Sequence, residues 1–147
     1  MDDADLGLRN RTYARFIKLG RAPTAAEMAE ETATPVGEVR AGWRRLHEVH
    51  ALVLDPDMAE VRMANPFSAV PTTFQVEAAG RSWFGNCAWD AFGIGAALHV
   101  DCVIGTTCPD CGETLRVTVT DGHPDDPGPV FHVLVPAAAW WADIGYT

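Results

Sequence analysis

Apolar positions in the first fifty residues recur at helical intervals, and the breaks between them fall at glycine, proline and threonine. In residues 8–19 (LRNRTYARFIKL), Leu8, Tyr13, Phe16, Ile17 and Leu19 supply the apolar positions of a helix, and Gly20 is placed to end it. Thr24 and Glu27 then fit a capping box, in which hydroxyl and carboxylate each satisfy an orphan backbone N–H, so a second short helix is predicted to run to about Thr32. Thr34-Pro35 marks a third start, with proline at the first helical position. After it Val36, Val39, Trp43 and Leu46 fall on one helix face. Residues 51–54 (ALVL) and 60–63 (EVRM) flank Asp55-Pro56-Asp57 and predict a β-hairpin.

The pattern then changes. Residues 64–71 (ANPFSAVP) hold two prolines and read as a linker, and 72–78 (TTFQVEA) alternate like a strand. Gly80 and Gly85 bracket an expected turn. Residues 87–98 (CAWDAFGIGAAL) are almost wholly apolar and long enough for a buried helix, although Gly93 and Gly95 weaken it. Strands are expected at 100–104, 115–119 and 130–135, a loop at 121–129 (DGHPDDPGP), and a last helix or turn at 136–143 carrying Trp140 and Trp141. The expected architecture is α+β. A winged-helix-like lobe of three helices and a hairpin occupies residues 1–65. A lobe with a small mixed or antiparallel sheet and a buried helix occupies 66–147.

Composition narrows the function. With 48% hydrophobic and 21% charged residues, the 147-residue chain is globular. No apolar run reaches the roughly 18–20 residues of a membrane span. The acidic start Met1-Asp2-Asp3-Ala4-Asp5 is no secretory signal, so the cytoplasm is the expected compartment. The net charge is −9. Residues 1–50 hold eight basic and eight acidic side chains, whereas 51–147 hold three and twelve. Arg40, Arg44 and Arg45 on the third helix would serve a DNA-reading role, but the charge balance argues against a nucleic-acid partner and for a scaffold lobe.

Four cysteines, Cys87, Cys102, Cys108 and Cys111, point in a cytosolic chain to metal binding or reactivity rather than disulfides. Cys87 falls in the first turn of the buried helix, where backbone N–H groups and the helix dipole favour a thiolate. Asp90, three residues on, shares its face. Trp83, Phe84, Trp89 and Phe92 are expected to exclude water, which raises a carboxyl pKa and suits it to hold a proton. A soft nucleophile beside a proton carrier in an apolar pocket suits protonolysis of a carbon–metal bond. The alternative is a cysteine that only packs. The second cluster is Cys108-Pro109-Asp110-Cys111-Gly112, half of a zinc knuckle. His99 and Cys102 precede it, and the four side chains could hold a structural zinc, although the five residues between the half-sites are short for one. Two free thiols on a turn, or a labile disulfide, are the other readings. His47, His50, His123 and His132 lack evident partners.

Residues 83–98, WFGNCAWDAFGIGAAL, resemble the active-site segment of the organomercurial (alkylmercury) lyases, in which a Cys-x-x-Asp motif begins a buried helix. The likeness extends to the preceding three-helix lobe, to the cysteine-bearing strands that follow, and to the ending 132–147 (HVLVPAAAWWADIGYT). It implies a lyase that cleaves carbon–mercury bonds, with Cys87 as the attacking thiol and mercury ligand and Asp90 as the proton shuttle. It implies no required cofactor, Hg(II) as the bound product, and small thiols or a mercury acceptor as partners. The family's second catalytic cysteine would fall just after Thr147. A truncated or altered lyase, or a substitute ligand among Cys102, Cys108 and Cys111, are the readings this leaves. Two other function classes stay open. One is a non-enzymatic metal- or thiol-responsive binding protein, regulatory in role. The other is a relative recruited to different carbon–heteroatom chemistry on a small thiol-reactive molecule.

Overall fold

The structure is a computed structural model and describes residues 1–133 and 135–145. Three helices come first: α1 (Asp3–Leu19), α2 (Ala25–Thr32) and α3 (Val36–Glu48). Helix α1 starts five residues before its apolar stripe because Asp2 caps it, accepting a hydrogen bond from the Asp5 N–H at 2.8 Å. Gly20 ends it in the left-handed conformation. The predicted capping box of α2 forms in both directions, the Glu27 N–H donating to Thr24 Oγ1 and the Thr24 N–H to Glu27 Oε2. Pro35 stands one residue earlier than expected, at the cap of α3.

Buried polar contacts lock α1 to α3. The Trp43 indole N–H donates to Thr12 Oγ1 at 3.0 Å, with both residues fully buried. Arg45 grips the buried Asp5 carboxylate through Nε and Nη2. Arg40 pairs with Glu60 of the following hairpin at 3.1 Å. Two of the three arginines on α3 are therefore engaged in ion pairs with other parts of the fold.

The strands form one antiparallel sheet of eight, ordered β1-β2-β3-β5-β4-β6-β7-β8. The expected hairpin is β1 (Val53–Leu54) with β2 (Val61–Ala64). Residues 64–71 are not a linker. After the cis Asn65–Pro66 bond the chain turns back as β3 (Phe67–Ser68), which pairs with β2 on one side and β5 on the other. The expected boundary near residue 65 thus falls in a tight turn within a continuous sheet. The supposed turn between Gly80 and Gly85 is also a strand. β4 (Gln75–Ala78) turns at Ala79-Gly80 into β5 (Arg81–Gly85). Next come α4 (Ala88–Leu98), β6 (Cys102–Thr107), β7 (Thr114–Thr120) and the two-residue β8 (His123–Pro124) in the stretch read as loop.

The strand expected at 130–135 does not form among its described residues, and Leu134 lies outside them. A 3₁₀ turn follows at Ala137–Ala142. No helix among the described residues is long and apolar enough to cross a membrane.

A single core joins the helical and sheet halves. The Phe16 ring lies 5.4 Å from that of Phe67, which lies 6.2 Å from Trp83. Helix α4 lies against β5, β4 and β6. Two glycines permit its approach. A Cβ on Gly85 would stand 2.8 Å from the Ala91 nitrogen, and one on Gly95 would stand 2.7 Å from the Cys102 sulfur. The glycines that weaken the helix as a sequence are thus partly explained by the strand beneath it. Replacing Thr12 with valine keeps shape but strands the buried Trp43 N–H. A loss of about 1–3 kcal/mol is expected in urea unfolding, and an unchanged midpoint would show that the indole bond carries no net stability.

Candidate active site

Cys87 does not lie within the first turn of α4 but caps it, with extended backbone geometry (φ −149°, ψ −176°). The N–H groups of Asp90 and Trp89 face its sulfur and favour a thiolate. Burial outweighs them, and the thiol pKa is raised rather than lowered, the Asp90 charge adding to the rise. The expectation of an activated resting thiolate is therefore corrected: the site removes more solvent from the sulfur than the helix terminus compensates.

Asp90 is 9% exposed, and burial raises its carboxyl pKa as well. Asn86 opposes the shift. Its side-chain amide donates to Asp90 Oδ2 at 2.8 Å and, more weakly, to Asn65 Oδ1 at 3.4 Å. The side-chain oxygen Oδ1 of Asn86 is buried with no hydrogen-bond partner among the described residues. Tyr13, reaching over from α1, donates its hydroxyl to the Asn65 carbonyl at 3.1 Å. Burial is the main cause of its raised pKa, and the Asp90 charge contributes to the rise.

These groups open on a cavity of about 160 Å³ lined by Met63, Asn65, Asn86, Cys87 and Asp90 on one side. The other side is the segment after β8, with Phe131, Val133, Val135, Trp140 and Ile144. Among the described residues, Cys87 is the cavity's one thiol. None of the four expected aromatic walls, Trp83, Phe84, Trp89 and Phe92, lines this cavity. Trp83 is buried, but Trp89 is 62% exposed and Phe92 also faces outward. Both border a larger groove of about 790 Å³ along α4, which Phe131 separates from the thiol cavity. His132, read from sequence as partnerless, lines the thiol cavity. The Trp141 ring stacks on His50 at 3.8 Å and 6°, tying the covering segment to the helical half.

Sequence reasoning missed Asn86 and Asn65. The only signal was a polar residue directly before Cys87 and another before Pro66.

The four candidate zinc ligands are not brought together. His99 ends α4 in the left-handed conformation, and Cys102 begins β6 and is buried against Gly95. Cys108 and Cys111 lie past the opposite end of the same strand, Cys108 being six residues and about 20 Å from Cys102. Among the described residues, no three or more His, Cys, Asp or Glu side chains are placed to share a metal ion.

A half-buried thiol and a desolvated carboxyl thus lie one helical turn apart beside apolar side chains. The alkylmercury lyase model matches residues 67–147, more than half of the chain, and the chain belongs to the alkylmercury lyase family. It is similar to a solved structure described as the mercury-bound form of MerB2, with a TM-score of 0.66 and 25% identity. The likeness covers 86% of this chain, which spans 60% of the length of that one. No curated protein matches.

The two kinds of thiol should separate by pH. Alkylation of Cys87 by iodoacetamide, followed by peptide mass spectrometry, is expected to have its midpoint above that of an ordinary thiol. Cys108, whose sulfur receives N–H groups from Cys111 and Asp110 that lower its pKa, is expected to react at lower pH. Coincident profiles would contradict the burial argument.

Proposed function

We propose that this protein cleaves the carbon–mercury bond of small organomercurials, with Cys87 as the capturing thiol and Asp90 as the proton carrier. The observation that carries the reading is the pairing of the two groups at the start of α4 inside the apolar cavity, in a chain of this family.

The chemistry follows from the electrostatics. At rest, burial favours the neutral thiol. Mercury is a soft ion, and thiolate is the ligand that competes best for it. As the sulfur bonds to mercury, its proton passes to Asp90, whose raised pKa suits it to hold that proton. The anionic ligand of the entering mercurial leaves. Asp90 then protonates the carbon, the electron pair of the carbon–mercury bond goes to the new carbon–hydrogen bond, and the hydrocarbon departs. Mercury(II) stays on Cys87 and accepts a second thiolate, and small thiols can supply it. The amide of Asn86 fixes which Asp90 oxygen stays bound and leaves the other for the proton. The apolar wall from Phe131 to Trp140 keeps competing water away from the carbon.

Mercury-thiol chemistry explains the site better than DNA binding explains the helical half, because Arg40 and Arg45 are occupied by Glu60 and Asp5.

The variants separate capture from proton transfer. Cys87→Ser is expected to abolish hydrocarbon release from phenylmercury in excess small thiol. Asp90→Asn is expected to slow release by about 100-fold or more, the lower end of general acid–base contributions, while the mercurial still binds. Full turnover by Cys87→Ser, measured by gas chromatography of the hydrocarbon, would overturn the reading.

A further inference from the structure

The turn that closes the β6–β7 hairpin holds two thiols that the cleavage reaction does not use. In Cys108-Pro109-Asp110-Cys111-Gly112 the Cys108 N–H donates to the Glu113 carbonyl at 2.8 Å, and the Gly112 N–H donates to the Cys108 carbonyl at 2.9 Å. Gly112 has φ +76°, the left-handed region that glycine enters without strain. The result is a tight knuckle. The two cysteines are three residues apart in this one turn, which the Cys108 backbone closes at both its N–H and its carbonyl. Both cysteines are free, Cys111 is exposed and Cys108 half-buried. Two accessible free thiols therefore share one tight turn.

The sheet register places this knuckle at the same end of the molecule as Cys87. Phe84 of β5 pairs with Gln75 of β4, and Gln75 pairs with Gly105 of β6. β5 and β6 run in the same direction, each antiparallel to β4. Cys87 lies three residues beyond Phe84, and Cys108 three residues beyond Gly105. The two strands stand about 10 Å apart across the sheet.

We propose that Cys108 and Cys111 form a second site, a dithiol that chelates one two-coordinate soft metal ion and takes mercury(II) from Cys87. Zinc is the wrong occupant, because a structural zinc site closes with four ligands, and no third ligand joins the pair among the described residues. A two-coordinate thiophilic ion needs only the pair. Once one sulfur holds the ion, the second binds it intramolecularly, at a high effective concentration that monothiols cannot match. The exchange balances without oxidation. Cys108 thiolate and the Cys111 thiol replace Cys87 and a small thiol on mercury. Cys87 leaves as thiolate, and the small thiol leaves carrying the Cys111 proton. The donor half of this proposal rests on the lyase reading, and the receptor half does not.

The test uses the full chain, mercury(II) chloride and a titration with a small monothiol. Metal retained after gel filtration is measured by elemental analysis. Cys87→Ser is expected to retain about one ion per chain against the monothiol. In Cys108→Ser/Cys111→Ser, and in Cys111→Ser alone, the monothiol concentration that strips half the metal should fall by about 100-fold or more. Circular dichroism is expected to be unchanged, because the turn is at the surface. Retention by the double variant equal to wild type would overturn the proposal, as would loss of the ion from Cys87→Ser. Failure of the lyase reading shows separately, as absence of hydrocarbon release by wild type, and leaves the retention comparison intact.

Discussion

Helix α4 lies so close to β5 that a single methyl group on Gly85 would come within 2.8 Å of its backbone. That contact determines where the helix begins. Because β5 ends at Gly85 and α4 starts at Ala88, Cys87 must cap the helix at the sheet's end. Asp90 is then carried one turn inward, against Asn86 and within the influence of Tyr13. The cis bond at Asn65–Pro66 and the short β3 bring Asn65 to the same place from the other side. A bulkier residue at position 85 would displace the cap, the carboxyl and the cavity together.

At that cap two physical effects compete. Helix N–H groups stabilise a thiolate, and removal from water destabilises it. Here burial is the larger effect for Cys87 and for Asp90 alike. The thiol consequently favours its protonated form, and Asp90 takes up a proton more readily than an exposed carboxylate does, which fits the proposed route of the thiol's proton through Asp90 to the product. At the exposed knuckle the same backbone N–H groups meet little burial, and there the balance reverses. One chain thus presents two thiol environments of opposite character at one end of its sheet.

Much of this was legible in the chain, and the misses share a cause. The capping box at Thr24 and Glu27, the face of Val36, Val39, Trp43 and Leu46, and the Cys87–Asp90 spacing are local patterns, and each appears in the structure. The strands β3 and β5 were hidden because Pro66, Gly80 and Gly85 look like punctuation, whereas Phe67 pairs with Gly85 only through contacts distant in sequence. The alternation at 130–135 signals a strand, but its described residues serve instead as a wall over the thiol. The direction of the Cys87 shift was misjudged for a related reason. Helix position can be read from spacing, but burial depends on which distant side chains cover the site. Trp89 and Phe92 were expected there and face outward, and Phe131, Val133 and Trp140 take that place.

Membership of the alkylmercury lyase family supports the proposed reading of the cavity. The most direct test of the account is a single turnover of phenylmercury by the wild-type chain in D₂O with excess small thiol, with the released hydrocarbon analysed by mass spectrometry. The account predicts benzene carrying one deuterium, released in an amount close to that of the enzyme, with mercury left on thiols. Phenylmercury recovered intact on Cys87, its carbon–mercury bond unbroken, would contradict it.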